Sequence, residues 1–287
     1  MPDLIENAYA KINLTLDITG KRVDGYHTLR SIFQSVTLCD RISLTLLSDG
    51  KIHVSSDNPA LPCGENNTVY RAAQAFFAAT GTANCGVSFH LEKKIPWQAG
   101  LGGGSADAAA ALRMLNRCFS AALSEKELSQ IGVTIGADVP FCLLGGTALA
   151  EGIGEKLTPL PPLPHCHIVL CKPGVGVGTK EAYQEIDRHG FLSGCETEQM
   201  IAQLRRGHLA GVAKYLGNDF EKAIPLPDVL KIKQIMLQAG ADGACMTGSG
   251  STVFGLFRQE EQAQICAEHL SSRYTDVFLC EPYHPTI

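Results

Sequence analysis

The sequence has 287 residues, of which 45% are hydrophobic and 18% are charged, so it can bury a substantial core in one large domain or two ordinary ones. A net charge of -5 without any block of like charges argues against a nucleic-acid surface. The N-terminal segment lacks the basic start and apolar centre of a signal peptide, and no apolar run approaches a membrane span. We therefore expect a cytoplasmic protein that binds neither nucleic acid nor membranes; the oligomeric state stays open.

The eleven cysteines form no CxxC pair, and several lie in apolar runs such as VPFCLLGG. Zinc sites usually need paired ligands, and an odd number of thiols does not suit a disulfide framework. We expect small buried thiols in a reduced compartment.

The predicted elements of the first half mix strands with helices. Apolar residues alternate in AKINLTLDI (residues 10–18), which predicts a strand, and RISLTLLS, KIHVSS and GVSFHLEKKI are further strand candidates. NNTVYRAAQAFFAAT carries apolar residues at helical spacing. An Ala-rich helix runs to about Phe119, and the next helix opens at Ser124 with a capping box completed by Glu127.

A proline-rich stretch at residues 159–167, PLPPLPHCH, predicts a boundary between an N-terminal domain (1–158) and a C-terminal domain (159–287). The second half then shows a strand in HIVLCKPG, helices in residues 196–216 and 228–240, and a strand, loop and strand in GACMTGSGSTVFGLF. A helix in EEQAQICAEHLSSRY and a strand in DVFLCEPY follow. This order is typical of a ferredoxin-like α/β sandwich.

The stretch PWQAGLGGGSADAAAAL, residues 96–112, joins a glycine-rich loop to a strong helix start. Glycines permit positive φ, and the first turn of a helix offers unpaired N–H groups and partial positive charge. Ser105 stands at the expected N-cap. The stretch therefore predicts a phosphate cradle, with a flexible loop as the plainer alternative. A Walker loop needs a Lys that is missing here, and a dinucleotide fingerprint needs a strand where a second helix follows.

Four motifs in order carry a resemblance that covers most of the chain. The glycine loop resembles the Pro-x-x-x-Gly-Leu-Gly-Ser-Ser-Ala loop of the GHMP kinases, which include galactokinase, homoserine kinase, mevalonate kinase and phosphomevalonate kinase. AYAKINLTLDITGKRVDGYHTLRSIFQSVTLCD resembles their first motif, in the form found in the branch that acts on 4-diphosphocytidyl-2-C-methyl-D-erythritol. IGADVPFCLLGGTALAEGIGE and MTGSGSTVFGLF resemble the middle and late motifs of that branch.

The resemblance implies a two-domain α+β fold and a kinase activity. The N-terminal domain would be mixed α/β and the C-terminal domain ferredoxin-like, with the active site in the cleft between them. The reaction would transfer the γ-phosphoryl of ATP, with Mg²⁺, to the 2-hydroxyl of the cytidine-diphosphate substrate, in the non-mevalonate route to isoprenoid precursors.

The resemblance also implies two catalytic residues. Asp138 in GADVPF would be the general base, and Lys11 would polarise the acceptor hydroxyl and keep Asp138 ionised. The pattern alone also allows Asp138 to be a cap or turn residue and Lys11 to be a solvated strand residue. Asn13 shares the strand face of Lys11 and could bond the acceptor polyol, unless that face is turned to solvent.

ATP is expected on the glycine loop and at a neighbouring helix start. Asn67 in ENNTVY is either an adenine contact or a plain N-cap, and Lys93 or Lys94 either reaches the nucleotide or is solvated. Ala106 and Asp107 follow Ser105 where many family members carry a second Ser, which weakens the case for a second hydroxyl on the phosphate or metal, and no metal ligand is assigned. The predicted ATP-binding residues are Asn67, Pro96, Trp97, Gln98, Ala99, Gly100, Leu101, Gly102, Gly103, Gly104, Ser105 and Ala106.

Two further segments bear on the acceptor. In DGYHTLRS, Tyr26 offers a ring for stacking and His27 a hydrogen bond at a base edge, and the resemblance places the cytosine there. Thr179 and Tyr183 in PGVGVGTKEAY are candidates for the opposite wall, although a Tyr-His pair in a glycine turn is more often a surface turn. The late loop TGSGST either faces the active site or is a simple hairpin turn.

Two other functions stay open. A GHMP kinase that acts on a small alcohol such as homoserine or mevalonate would need no base sandwich. A non-catalytic nucleotide sensor with this fold would need neither Lys11 nor Asp138.

Overall fold

The computed structural model describes residues 2–190 and 196–285, so Cys195 lies outside the described part. The chain forms two compact units that alternate along the sequence. The first unit takes the described residues up to Ala10, Cys39–Trp97 and Gly102–Leu144; the second takes Lys11–Leu38, Gln98–Leu101 and the described residues from Gly145 onward. This division differs from a single cut after residue 158, because the long strands β1 (Leu4–Lys21) and β2 (His27–Leu46) each belong partly to both units. The predicted boundary at 158/159 stays a prediction.

The first unit combines a small set of strands with a layer of helices. Strand β3 (Ile52–Ser56) pairs in parallel with β4 (Val87–Glu92), which pairs in antiparallel with the end of β2. The helices are α1 (Thr68–Thr80), α2 (Gly103–Cys118), α3 (Glu125–Ile135) and α4 (Val139–Leu144). The alanines of α2 are buried, and such small side chains let α1, α3 and α4 pack closely around it.

Sequence signals set the starts of two helices in this unit. Asn67 caps α1, which is one of the two roles that the pattern allowed for it. The predicted capping box of Ser124 and Glu127 opens α3 and is confirmed. The predicted cap at Ser105 is wrong. Helix α2 begins about one turn earlier, after Gly102, whose left-handed φ of 69° turns the chain into the helix, and Ser105 lies inside the first turn.

The second unit contains two sets of strands. In one set, β1 pairs in parallel with β8 (Gly217–Asn218), and β2 pairs with β5 (Thr147–Gly152), which pairs with β6 (Lys156–Pro159). The other set is an antiparallel sheet in the order β11 (Asp276–Cys280), β7 (His167–Lys172), β10 (Val253–Phe257), β9 (Gly243–Met246). This is the strand order of a ferredoxin-like sandwich, as predicted.

The helices of the second unit are α5 (Thr179–His189), α6 (Thr197–Arg205), α7 (Leu209–Lys214), α8 (Asp219–Ala223), α9 (Pro227–Gln238) and α10 (Glu260–Ser271). The helical region expected between residues 196 and 216 is two helices, because Gly207 with a φ of 62° interrupts it. Short elements with weak patterns, such as α5, β5 and β8, were not predicted.

Strand β1 is buried on both faces between residues 11 and 18. The apolar residues of the alternation are at most 4% exposed, and the polar residues between them are at most 6% exposed: Lys11, Asn13, Thr15 and Asp17. Buried polar side chains need partners, so this strand identifies a candidate site.

The ten described cysteines are free thiols, five of them buried. Burial raises the pKa of Cys166 and Cys171 to about 12, which keeps these thiols neutral. Within the described ranges, no helix has the length and apolar character needed to cross a membrane.

Candidate active site

Lys11 and Asn13 lie at the centre of a buried polar cluster in the second unit. Nζ of Lys11 donates a hydrogen bond to Oδ1 of Asn13 at 2.9 Å and lies 4.9 Å from the centre of the Phe33 ring. Lys11 is 4% exposed and Asn13 is 1% exposed, so neither is the solvated strand residue that the pattern allowed. The cluster holds a cation in a fixed position with little water around it.

The late loop between β9 and β10 fixes Asn13. The N–H of Asn13 donates to Oγ1 of Thr247 at 2.9 Å, and this hydroxyl and the N–H of Gly248 donate to Oδ1 of Asn13 at 3.1 and 3.0 Å. Nδ2 of Asn13 donates to the hydroxyl of Ser31 at 2.9 Å. The loop is therefore a hairpin turn that also takes part in the Lys11 cluster.

Gly100 packs directly against the same late loop. Its φ is 77°, and a Cβ on it would lie 2.3 Å from the carbonyl oxygen of Thr247. The carbonyl of Leu101 accepts the N–H of Lys11 at 2.9 Å. Residues 98–101 of the glycine loop are thus tied to β1 and to the late loop, and only glycine fits at position 100.

The remainder of the glycine loop opens α2 in the first unit. Among the described residues no side chain caps this helix, and its first turn contains no acidic residue. Its N–H groups and dipole therefore suit an anion. Thr68 donates to the carbonyl of Gly104 at 2.7 Å, which places the start of α1 beside the loop.

Asn67 acts as the N-cap of α1. Its Oδ1 accepts the N–H of Val69 at 2.8 Å, and its Nδ2 donates to the carbonyl of Pro62 at 2.7 Å. Both ends of the amide therefore have a structural task, and the adenine contact stays a prediction.

Asp138 lies half-buried in the turn between α3 and α4. Its carbonyl accepts the N–H of Cys142 at 3.1 Å, so the backbone of this residue starts α4. Gly136 lies close to Ser105, since a Cβ on Gly136 would be 3.6 Å from the Ser105 hydroxyl. The first unit thus brings the turn that carries Asp138 next to the first turn of α2.

Lys93 forms a buried triad with Asp40 and Asp107 that the sequence analysis missed. Its Nζ lies 2.5 Å from Oδ2 of Asp107 and also bonds Oδ2 of Asp40. A Cβ on Gly103 would be 3.7 Å from this Nζ, so the triad lies beneath the start of α2. Lys93 is therefore not solvated, whereas Lys94 is exposed.

The triad contains two carboxylates and one ammonium group. Burial raises the pKa of Asp107 to about 7. The ammonium group of Lys93 acts against this rise, and the carboxylate of Asp40 adds to it. Burial opposes the charge of Lys93, but both carboxylates outweigh it and raise the pKa of Lys93. Asp40 accepts three hydrogen bonds through its two oxygens, whereas Oδ1 of Asp107 has no partner within the described part of the chain. A proton taken up by the triad therefore belongs on Asp107.

His27 is the centre of another polar cluster in the second unit. Its Nε2 lies 2.7 Å from Oδ1 of Asp187, and Oδ2 of Asp187 accepts a hydrogen bond from Lys21 at 2.6 Å. The hydrogen bond from Lys21 lowers the pKa of Asp187 most, and the bond to His27 lowers it further. The ring of His27 stacks on Tyr183 with 4.6 Å between centroids, and Tyr183 and Phe220 form a T-shaped pair with 4.9 Å between centroids.

The predicted walls of the base pocket have different environments. Tyr26 lies in the turn between β1 and β2 with 61% of its surface exposed, whereas Tyr183 places one face against His27. In this structure Tyr183 therefore supports His27, and a base could stack on that face only if His27 moved. Thr179 is exposed, with its hydroxyl 3.3 Å from that of Ser249 in the late loop.

Asp187 was missed because helix α5, which carries it, was not predicted, and a lone Asp carries no signal of its own. Its position four residues after Tyr183, on the same face of α5, is the feature that could have found it.

Comparison with known proteins identifies the family. The model of the N-terminal domain of GHMP kinases matches residues 67–146, and the model of their C-terminal domain matches residues 200–276. The 4-diphosphocytidyl-2-C-methyl-D-erythritol kinase of Clostridium tetani (strain Massachusetts / E88) is 43% identical over 275 residues, 95% of this chain and 97% of the relative. The kinase of the same name from Desulfitobacterium hafniense (strain Y51) is 47% identical over 264 residues, 90% of this chain and 88% of the relative.

A solved structure agrees with these relatives. The crystal structure of a 4-(cytidine 5'-diphospho)-2C-methyl-D-erythritol kinase is 34% identical and superposes with a TM-score of 0.83, covering 98% of this chain and 100% of that chain. The chain belongs to the GHMP kinase family and is an ATP-dependent kinase.

Proposed function

We propose that the protein transfers the γ-phosphoryl group of ATP to the 2-hydroxyl of 4-diphosphocytidyl-2-C-methyl-D-erythritol, a step in the non-mevalonate route to isoprenoid precursors. The observation that carries this proposal is the identity of 43% and 47% to kinases named for this substrate, over at least 90% of the chain. The cluster around His27 supports it, because a kinase of a small alcohol needs no side chain to bind a base.

ATP fits the glycine loop. Gly100 and Gly102 have left-handed φ values of 77° and 69°, and α2 starts without a side-chain cap among the described residues, so N–H groups and the helix dipole suit the phosphates. Residues 96–106 and Asn67 are the proposed ATP contacts. Mg²⁺ bound with ATP would neutralise charge on the transferred group, and its ligands are left unassigned.

In this proposal Asp138 and Lys11 carry the chemistry. Asp138 takes the proton of the acceptor hydroxyl while that oxygen forms its bond to the γ-phosphorus and the bond to the ADP oxygen breaks. The ammonium group of Lys11 stabilises the negative charge that develops on the acceptor oxygen. The 2.9 Å bond from Lys11 to Asn13 fixes the direction of the ammonium group. Nδ2 is the atom of Asn13 left to contact the polyol, because Oδ1 already accepts three bonds.

The cytidine end of the acceptor is assigned to the cluster around His27. The exposed ring of Tyr26 offers a stacking surface, and His27 offers a ring nitrogen to the base edge. Tyr183 holds the His27 ring, and Thr179 lies at the N-terminus of the same helix.

The test is ADP release with the cytidine-diphosphate substrate, with free 2-C-methyl-D-erythritol, and with homoserine and mevalonate as rival acceptors. We expect kcat/KM to favour the cytidine-linked acceptor by at least about fivefold, since one stacked base is worth about 1–3 kcal/mol. Equal turnover of a small alcohol would favour a small-alcohol kinase. ATP binding without turnover of any acceptor would favour a non-catalytic sensor.

A further inference from the structure

We infer that Asp187 is a positioning residue that determines specificity, because it holds the ring proton of His27 on Nε2. Nδ1 of His27 then presents only a lone pair to the base. This lone pair selects an aminopyrimidine over an oxopyrimidine. This inference rests on the proposed function, because it concerns how the same site would distinguish cytosine from uracil.

The geometry of the Asp187 carboxylate fixes the tautomer. Oδ1 of Asp187 lies 2.7 Å from Nε2 of His27, and an ionised carboxylate can only accept hydrogen bonds. On the neutral imidazole ring, Nε2 must therefore carry the one proton. Lys21 bonds the other carboxylate oxygen at 2.6 Å, and these two bonds lower the pKa of Asp187, which keeps the carboxylate ionised.

Packing fixes the ring in the same orientation. His27 is 7% exposed, and its ring lies against Tyr183 at an interplanar angle of 16°. A half-turn of the ring would replace Nε2 with a carbon atom opposite Asp187 and break the hydrogen bond. The carboxylate and the stack together therefore leave Nδ1 as the ring nitrogen that a ligand can meet.

The fixed lone pair on Nδ1 distinguishes the two pyrimidines. Cytosine carries an exocyclic amine that donates a hydrogen bond, whereas uracil carries a carbonyl oxygen at the same place. Uracil would bring a second lone pair against Nδ1 and leave both acceptors without a donor, which is the arrangement that binding sites reject most strongly.

The variant Asp187→Asn tests this without changing the shape of the side chain. An amide can donate to Nε2 as readily as it can accept from it, so the tautomer is no longer imposed. The probes are CDP and UDP as competitive inhibitors against the acceptor. We expect Asp187→Asn to lower the preference for CDP over UDP by about 10- to 100-fold, the size of effect that the carboxylate partners of metal-bound histidines typically have. The KM for ATP should not change.

Two further variants serve as controls. Asp187→Glu retains a carboxylate and should keep most of the preference. Glu185 lies on the same helix, and its carboxylate bonds Arg188 and not His27. The variant Glu185→Gln should therefore behave as the parent.

A spectroscopic readout separates tautomer control from mere support of the fold. In ¹⁵N NMR spectra of the neutral ring, with His27→Ala for assignment, Nδ1 should have the shift of an unprotonated nitrogen in the parent and a mixed value in Asp187→Asn. An unchanged CDP preference or an unchanged tautomer in Asp187→Asn would overturn the inference, and so would an equal loss of affinity for both nucleotides. If the parent protein binds neither CDP nor UDP in competition with its acceptor, the proposed function itself fails.

Discussion

Asn13 and Thr247 are joined by two hydrogen bonds although 234 residues separate them in the sequence. The N–H of Asn13 donates to the Thr247 hydroxyl at 2.9 Å, and that hydroxyl donates to Oδ1 of Asn13 at 3.1 Å. Since Oδ1 also receives the ammonium group of Lys11, the late loop acts on the cation through Asn13. This relationship explains how a hairpin turn contributes to the site without having to touch a ligand.

Thr247→Val should therefore reduce both stability and turnover. The change preserves shape but leaves the buried N–H of Asn13 without its acceptor, which typically costs about 1–3 kcal/mol in the free energy of unfolding. We also expect kcat to fall because Asn13 orients Lys11 less well. Urea unfolding and steady-state kinetics measure the two effects.

Thr252→Val is the matched control for this change. Thr252 lies in the same loop, is 1% exposed, and its hydroxyl has no partner within residues 2–190 and 196–285. Its replacement should be neutral or stabilising, because it removes an unsatisfied buried hydroxyl. Equal losses in the two valine variants would contradict the role given to the Thr247 hydroxyl.

Gly100→Ala should destabilise the protein far more than Gly50→Ala. Both glycines have left-handed φ values, 77° and 69°, so both substitutions bear the cost of that conformation, about 1–2 kcal/mol. At Gly100 the new Cβ would clash with the Thr247 carbonyl oxygen at 2.3 Å, whereas at Gly50 the nearest atom, the Asn84 carbonyl oxygen, is 3.8 Å away, an ordinary contact. Chemical denaturation of both variants measures the difference, and similar unfolding free energies would show that the close approach at Gly100 is not constrained.

Asp138→Asn should remove most turnover while ATP still binds. Loss of a general base typically lowers the rate by about 10²- to 10⁴-fold, and the amide keeps the size of the side chain. Glu125→Gln, an exposed acid in the first turn of α3, is the control for a lost carboxylate in the same unit. Single-turnover kinetics and nucleotide titration separate chemistry from binding. A variant with near-parental kcat across the pH range would exclude Asp138 as the base.

The buried carboxyl of Asp107 should make stability depend on pH. Its pKa is about 7 in the folded protein against an ordinary value of 3.8, so between these values the folded state holds a proton that the unfolded state has released. The free energy of unfolding should therefore fall as pH rises from about 4 to about 7 and then level off. The loss is at most about 4 kcal/mol, since a tenfold change in ionisation constant corresponds to about 1.4 kcal/mol.

Asp107→Asn isolates this effect. The amide cannot titrate, so the variant should gain stability relative to the parent when the pH is raised from about 5 to about 8. Burial lowers the pKa of His284, but His284 titrates in both proteins, so the comparison removes its contribution. Urea unfolding at both pH values is the measurement, and parallel pH curves would refute the assignment of the proton to Asp107.

Tyr26→Ala and Tyr183→Ala should weaken acceptor binding in different ways. Loss of the exposed Tyr26 ring should raise the KM for the cytidine-linked acceptor by about 5- to 150-fold, because stacking of a base is worth about 1–3 kcal/mol. It should weaken the binding of cytidine and uridine acceptors equally. Tyr183 packs against His27, so its loss should also reduce the preference for cytidine. Steady-state kinetics with cytidine-linked and uridine-linked acceptors distinguish the effects of the two variants. An unchanged acceptor KM in both variants would place the base elsewhere.

Local features of this protein follow from the sequence alone. The N-caps at Asn67 and Ser124 depend on bonds to N–H groups only two or three residues away, so a short pattern suffices to predict them. The order of strands and helices after the proline-rich stretch predicted the ferredoxin-like sheet, because few topologies satisfy that order. The glycine loop and the helix behind it indicated an anion site for the same local reason.

The tertiary structure decided what each functional side chain contacts. The alternation in β1 identified Lys11 and Asn13 as neighbours on one face. It could not show that this face is buried, because the residues that cover it, Ser31 and Thr247, come from other parts of the chain. Lys93 bonds Asp107, which lies 14 residues away along the chain. His27 bonds Asp187, which lies 160 residues away. A hydrogen bond or ion pair depends on position in space, and burial depends on every element packed around it, so no local pattern encodes either.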